Sequence, residues 1–282
     1  IRLNKLIKVI LGLITFITDI ACDFGTSNDK EVPSILDSNK LITQVPINTT
    51  DTIYLENMGD LDSLNIGWNH LIIKTSKHAE NTQFFPQMTM QMGAMIHVHS
   101  APFVTQKIAE GLAVDILVSV PGKWNFFVVQ NTDTLKMKVN VGSSNPSKVY
   151  KSVDPRMESR KIMIAMDFPA KPQVGSQNIQ FQAYYYNTEM MPMKDTSMAM
   201  QHKMDMVMPT KTWEELAAQF VPAIDLIIEM TPSMPAMGHG SPNNESPVWA
   251  NDPQNKGMYT GKVNFSMTGD WQLNLKIEDN QG

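Results

Sequence analysis

Two stretches of the chain set thioethers beside imidazoles at the same spacing. The first is Met92-Gly-Ala-Met95-Ile-His97, with His99 and Pro102 behind it. The second is Met234-Pro-Ala-Met237-Gly-His239, with Pro242 behind it. Both read Met-x-Ala-Met-x-His, and each is followed by a Gly-x-Trp: Gly122-Lys-Trp124 and Gly269-Asp-Trp271. A hexamer and a downstream anchor shared in the same order indicate an internal duplication. Thioether sulfur is a soft ligand that suits Cu(I), and imidazole is a good partner for copper. Two sulfurs and one nitrogen within a single loop are enough for a three-coordinate Cu(I) site. His97 and His99 are two apart, so on a strand they share a face and could also hold Cu(II). Zn(II) is less well served, because Cys and carboxylate ligands are not clustered with them. Thiols oxidise outside the cytoplasm, and there Met takes over as the soft ligand.

The same residues also have a purely structural reading. Met fills irregular gaps in cores, so Met92, Met95, Met234 and Met237 can cap an apolar interior, with His97 and His239 bonded to loop backbone. Repetition favours ligands, as does the placing of four of the six His beside Met clusters. Two further groups extend the candidate metal set. Met88 and Met90 alternate with Met92, which puts three sulfurs on one face of a strand. Between Thr188 and Thr210 stand Met190, Met191, Met193, Met198, Met200, Met204, Met206 and Met208, with His202 among them. Their polar interleaving describes a solvent-reaching loop or ribbon, suited to metal or to a soft partner-binding surface. His70 and His78 lie apart from the Met clusters and read as structural or solvated.

The chain that must position these residues has 282 of them, a length that suggests two domains. Hydrophobic residues make up 42% and charged residues 18%, which is enough for a packed core. Net charge is −5 with no basic stripe, and this argues against nucleic acid as a partner. No nucleophile elbow, phosphate loop or recognisable pair of carboxylates is present, so the reading is not an enzyme. Cys22 is the only Cys, and no intrachain disulfide can form.

At the N-terminus, Arg2, Lys5 and Lys8 precede an apolar run from Val9 to Ile17. This reads as a secretory signal, too short for a spanning helix of roughly 20 apolar residues. Ala21-Cys22 resembles the lipobox of bacterial lipoproteins, although Asp19 departs from that pattern. The resemblance implies that residues 1–22 are signal and lipobox, and that Cys22 is lipidated and becomes the mature terminus. Residues 23–50 are polar and read as a flexible tether.

From residue 51 the pattern becomes short runs of β-formers. A first unit over 51–142 contains 52–55, 65–73, 88–92, a hairpin of 113–120 and 124–129 across Pro121-Gly122-Lys123, and the alternating 135–141. Residues 143–158 read as a linker. A second unit over 159–282 contains 161–166, 178–186, 225–230, 258–265 and 271–277, with an insertion at 188–222. Within the insertion Thr212 and Glu215 form a capping box that starts a helix running to Phe220. The expected class is all-β: two tandem immunoglobulin-like antiparallel β-sandwiches with a short helix in an insertion of the second.

The second unit resembles the YtkA-like domain of exported bacterial proteins. The resemblance rests on Pro172 and Gly175, on Met234-Pro-Ala-Met237-Gly-His239-Gly-Ser-Pro242, on Gly257-Met-Tyr259-Thr-Gly261, and on Met267-Thr-Gly269-Asp-Trp271. It covers about residues 160–279. The first unit resembles a degenerate copy that keeps Met92, Met95, His97, Gly122 and Trp124, with Gly93 in place of Pro and Leu112-Ala113 in place of Met258-Tyr259. The family resemblance implies extracytoplasmic copper handling. The expectation is therefore a lipid-anchored protein of the bacterial cell envelope, facing periplasm or cell surface. It would bind copper, chiefly Cu(I), and buffer it or pass it to an efflux or assembly partner. The competing expectation is a β-sandwich interaction scaffold without metal.

Overall fold

Apolar residues at every second position, broken by turn residues, build strands throughout. The computed structural model describes residues 39–46, 52–58, 63–75, 82–92, 95–130, 133–144, 148–154, 157–167, 173–187 and 212–279. The first unit has ten strands: β1 (Lys40–Pro46), β2 (Thr52–Asn57), β3 (Leu64–Asn65), β4 (Gly67–Lys74), β5 (Thr82–Met92), β6 (Met95–His99), β7 (Phe103–Ile108), β8 (Gly111–Val118), β9 (Gly122–Gln130) and β10 (Asp133–Gly142). They form two sheets, β1-β2-β4-β8-β7 and β3-β10-β9-β5-β6. Every pairing is antiparallel except β3 with β10. Strand β10 shows how the sequence selects its inner face: Met137, Val139 and Val141 are buried, while Lys136, Lys138 and Asn140 are exposed. The sheets close over Leu55, Phe84, Trp124 and Phe126, with Phe84 and Phe126 edge to face at 5.1 Å.

The second unit comprises β11 (Val149–Asp154), β12 (Met157–Asp167), β13 (Gly175–Asn187), helix α1 (Trp213–Ala217), β14 (Phe220–Pro222), β15 (Leu226–Met234), β16 (His239–Gly240), β17 (Glu245–Trp249), β18 (Met258–Phe265) and β19 (Gln272–Asp279). Its sheets are β11-β12-β13-β18-β17, with β14 on β13, and β16-β15-β19. The strand order repeats the first unit: β11-β12-β13-β18-β17 matches β1-β2-β4-β8-β7, and β19-β15-β16 matches β9-β5-β6. The fold is thus all-β and immunoglobulin-like, two tandem antiparallel sandwiches. Among the described residues, no helix is long and apolar enough to cross a membrane.

Two boundaries differ from the sequence expectation. Strand β1 falls inside the segment read as a tether, and β11 inside the segment read as a linker. Both are edge strands that mix apolar and polar residues without clean alternation, and each leaves an apolar side chain exposed, Leu41 in β1 and Val153 in β11, so the pattern resembles a loop. Their pairing with β2 and β12, and the packing of Ile42, Val45 and Tyr150 against the two cores, make them strands. The helix is also shorter than expected, because Phe220 already belongs to β14. Its capping box is present in both directions, Glu215 N–H donating to Thr212 Oγ1 at 3.2 Å and Thr212 N–H to Glu215 Oε2 at 2.7 Å.

The second core is organised by Tyr259. Its hydroxyl donates to the Ala223 carbonyl at 2.8 Å and accepts from the Leu226 amide at 3.1 Å. Burial pushes its pKa up to about 12. Tyr259→Phe leaves both backbone groups unpaired in a buried place, and the expected cost is about 1–3 kcal/mol, read as a lower midpoint in denaturant unfolding.

The two units pack face to face. Trp68 of β4 and Leu117 of β8 meet Met163 and Ala165 of β12 and Tyr184 of β13, with Trp68 and Tyr184 stacked at 6.4 Å. Trp213 of the insertion helix reaches back to the first unit and stacks on Phe85 at 5.2 Å and Phe127 at 5.1 Å. His70, read from sequence as structural or solvated, clamps the seam. Its Nδ1 lies 2.8 Å from Asp115 Oδ1 and its Nε2 lies 3.0 Å from Asp167 Oδ2. These hydrogen bonds, Asp115 first and Asp167 second, raise its pKa from 6.5 to about 10. A His with a raised folded pKa stabilises most while both states are protonated. Its contribution is therefore full below pH 6.5, shrinks as pH rises, and is gone above about 10. The side chain is 40% exposed, and solvent screening limits the expected loss in His70→Gln to about 1 kcal/mol. Thermal melts of the two proteins should differ below pH 6.5 and converge above 10.

Candidate metal centre

Strand register places the Met and His residues of the two units in the same frame. On β15 and β16, Met234 lies opposite His239. On β5 and β6, Met88 lies opposite His99. One residue before each Met, the partner strand supplies the residue that follows the Trp: Ser233 pairs with Gln272, and Gln87 with Asn125. The local packing repeats as well. Gly122 has φ +126° and Gly269 φ +137°, and a Cβ on either would stand 2.9 Å from the methyl of Met88 or Met234. Trp124 Nε1 donates to the Val120 carbonyl and Trp271 Nε1 to the Met267 carbonyl, both at 3.0 Å. The structural equivalents are therefore Met88 with Met234, and His99 with His239.

This corrects the alignment drawn from the hexamers, which matched Met92 with Met234 and His97 with His239. The first unit has a longer hairpin, so its hexamer spans the tip from β5 to β6. In the second unit, a single 3-10 turn (Pro235–Met237) replaces that tip. A signal for the right register is in the sequence: Met88 precedes Trp124 by 36 residues and Met234 precedes Trp271 by 37.

The residues at each end have distinct roles. Met88 and Met234 are 7% and 3% exposed and belong to the two cores. Each is the inner floor of its hairpin, seated on a glycine and beside a tryptophan, which is the core-capping alternative and not an open donor position. Met237 is 62% exposed. Proline at the start of the 3-10 turn fixes its entry, and Gly238 at φ +66° turns the chain back into β16. His239 is half-buried, its ring edge-on to Trp271 at 6.2 Å. Neither of its ring nitrogens has a hydrogen-bond partner among the described residues, so the backbone-bonded alternative does not hold for it.

In the first hairpin, Met90 lies opposite His97 and Met92 opposite Met95. Positions 88, 90 and 92 and their partners 99, 97 and 95 therefore occupy one face in register. Met90 is half-buried against the core, and His99 is exposed. Met92, Met95 and His97 are placed by strand position only. Met190, Met191, Met193, Met198, Met200, His202, Met204, Met206 and Met208, along with Cys22 and His78, lie outside the described residues. Among the described residues, no group of three His, Cys, Asp or Glu is placed to hold a metal. The donors that the fold does gather are thioethers and imidazoles, which fit a soft ion such as Cu(I).

Tandem all-β sandwiches, each with a Met/His hairpin at the end that carries a Gly-x-Trp, define the class. Within it, residues 218–276 match the family model described as YtkA-like, so this part of the second sandwich is similar to that family. The match runs from the end of α1 into β19 and includes the whole Met234–His239 turn. It is narrower than the 160–279 that the motifs suggested, and the first sandwich lies outside it. No curated protein sequence matches the chain. Among solved structures, the crystal structure of bovine butyrophilin is similar over 77% of this chain and 92% of that chain, at 10% identity and a TM-score of 0.20. A likeness that low carries no information on function.

Proposed function

We propose that this chain binds copper as cargo, chiefly Cu(I), through the Met/His hairpins at the ends of its two sandwiches. It holds the ion outside the cytoplasm and releases it to an efflux or assembly partner. The observation that carries this reading is an exposed thioether, Met237, two residues from an imidazole, His239, that has no hydrogen-bond partner among the described residues. In the first unit, Met90, Met92, Met95, His97 and His99 hold strand positions on one hairpin face and are the further thioethers and imidazoles of this proposal. The Met-rich stretch from Met190 to Met208 adds a further soft-ligand reservoir in this proposal, and Cys22 the lipid anchor that keeps the protein at the envelope.

The test is competition for Cu(I) against a chromophoric chelator, using the chain from residue 23 onward. Met237→Ser with His239→Ala is expected to remove one tight equivalent, a loss of about 100-fold or more at that site, or about 3 kcal/mol. A separate variant with the Met residues from Met190 to Met208 changed to Ser and Gln reports the reservoir. Binding no stronger than that of a sandwich without the Met/His hairpins would end the proposal and leave the interaction scaffold as the better account.

A further inference from the structure

A Cu(I) ion on the second hairpin finds fewer donors than the hexamer promises. The first residue of the motif, Met234, is 3% exposed, packed in the core, with its methyl 2.9 Å from where a Cβ of Gly269 would stand. The same seat recurs at Met88 and Gly122 in the other unit, which marks it as a feature of the fold shared by both ends. Nearby groups are also committed. Trp271 closes the inner side of His239 and spends its N–H on the Met267 carbonyl, and the Met267 side chain packs against the same core. No group of three His, Cys, Asp or Glu stands close by among the described residues. Outward, the rim is open: Pro235, Ala236, Met237 and Gly238 are all exposed.

We infer that Met237 and His239 form a half-site, completed by a thioether or imidazole from the protein that delivers or collects the copper. This rests on the copper reading above and adds to it the donor that is missing and where it must come from. Two donors with an open outer side suit transfer by ligand exchange. The incoming ligand can bind before either outgoing ligand leaves, and the core under Met234 need not open. A site closed over three donors would have to open before an incoming ligand could reach the ion.

Resonances of individual residues test this in the full chain. The protein is labelled with 13C in its Met methyl groups and His rings, and assigned with Met234→Leu and Met237→Leu. Cu(I), which is diamagnetic, is added in steps. N-acetylmethionine amide is then added as the thioether probe. The Met237 methyl and the His239 ring are expected to move with Cu(I) while the Met234 methyl stays, and both are expected to move again when the probe joins the loaded rim. A Met234 methyl that moves in step with Met237 would show a closed internal site and overturn the inference. So would a loaded rim that is indifferent to the probe. If neither Met237 nor His239 responds to Cu(I), the copper reading itself fails at this site, an outcome distinct from the other two.

Discussion

Trp271→Ala lowers the stability of the second sandwich by about 3–5 kcal/mol, the range for emptying a buried aromatic site. Trp271 is 1% exposed and lies between Phe265, at 5.5 Å and tilted, and His239. Its N–H holds the Met267 carbonyl, which fixes the turn into β19. Removal therefore opens a cavity and loosens the turn together. Met234 and His239 both pack on this ring's surroundings, so the metal rim should lose its shape as well as the domain its stability. Denaturant unfolding followed by tryptophan fluorescence, with Trp271→Phe as the milder partner, reads the effect. Trp124→Ala should act alike on the first sandwich, because its burial and its bond to Val120 are the same. A loss below about 1 kcal/mol in either would contradict the anchoring role, since ordinary surface changes fall there.

The second large effect belongs to a glycine. Gly269→Ala combines a backbone at φ +137°, which L-residues rarely adopt, with a Cβ only 2.9 Å from the Met234 methyl. Strained backbone costs about 1–3 kcal/mol, and overpacking a core adds about 1–3 kcal/mol. The steric part, unlike the backbone part, should be relieved by shortening the neighbour. Gly269→Ala with Met234→Ala should therefore cost less than the sum of the two single changes, an interaction that a double-mutant cycle measures directly. Strict additivity would mean that the methionine does not rest on the glycine.

Much of the sandwich architecture was legible because alternation is a strong signal wherever one face is buried. Strand β15 is the clearest case: Leu226, Ile228, Met230 and Met234 point inward, while Ile227, Glu229 and Thr231 point out. The edge strands β1 and β11 were not legible, since their apolar residues do not alternate cleanly: Leu41 and Ile42 are adjacent in β1, as are Val149 and Tyr150 in β11. At the site, the Met and His residues and the Gly-x-Trp anchors could be picked out by type and repetition. Their register was misread, because the matching hexamers fall on different parts of two hairpins of unequal length, and the spacing from Met to Trp that carried the right register was passed over. His99 and Met88, the counterparts of His239 and Met234, are fixed by the strand register and by Gly122 and Gly269, each set against a methionine methyl. The seam between the units was hidden as well. His70, Asp115 and Asp167 are far apart in the chain, and no local pattern announces that they meet.

The central claim is that thioether and imidazole together hold Cu(I), and X-ray absorption at the copper edge of the Cu(I)-loaded chain tests it most directly. The account predicts a low-coordinate ion with a shell of sulfur scattering together with the multiple-scattering signature of imidazole, and loss of the imidazole part on replacing His97, His99 and His239 by Ala. A shell of nitrogen and oxygen alone, with no sulfur, would contradict it.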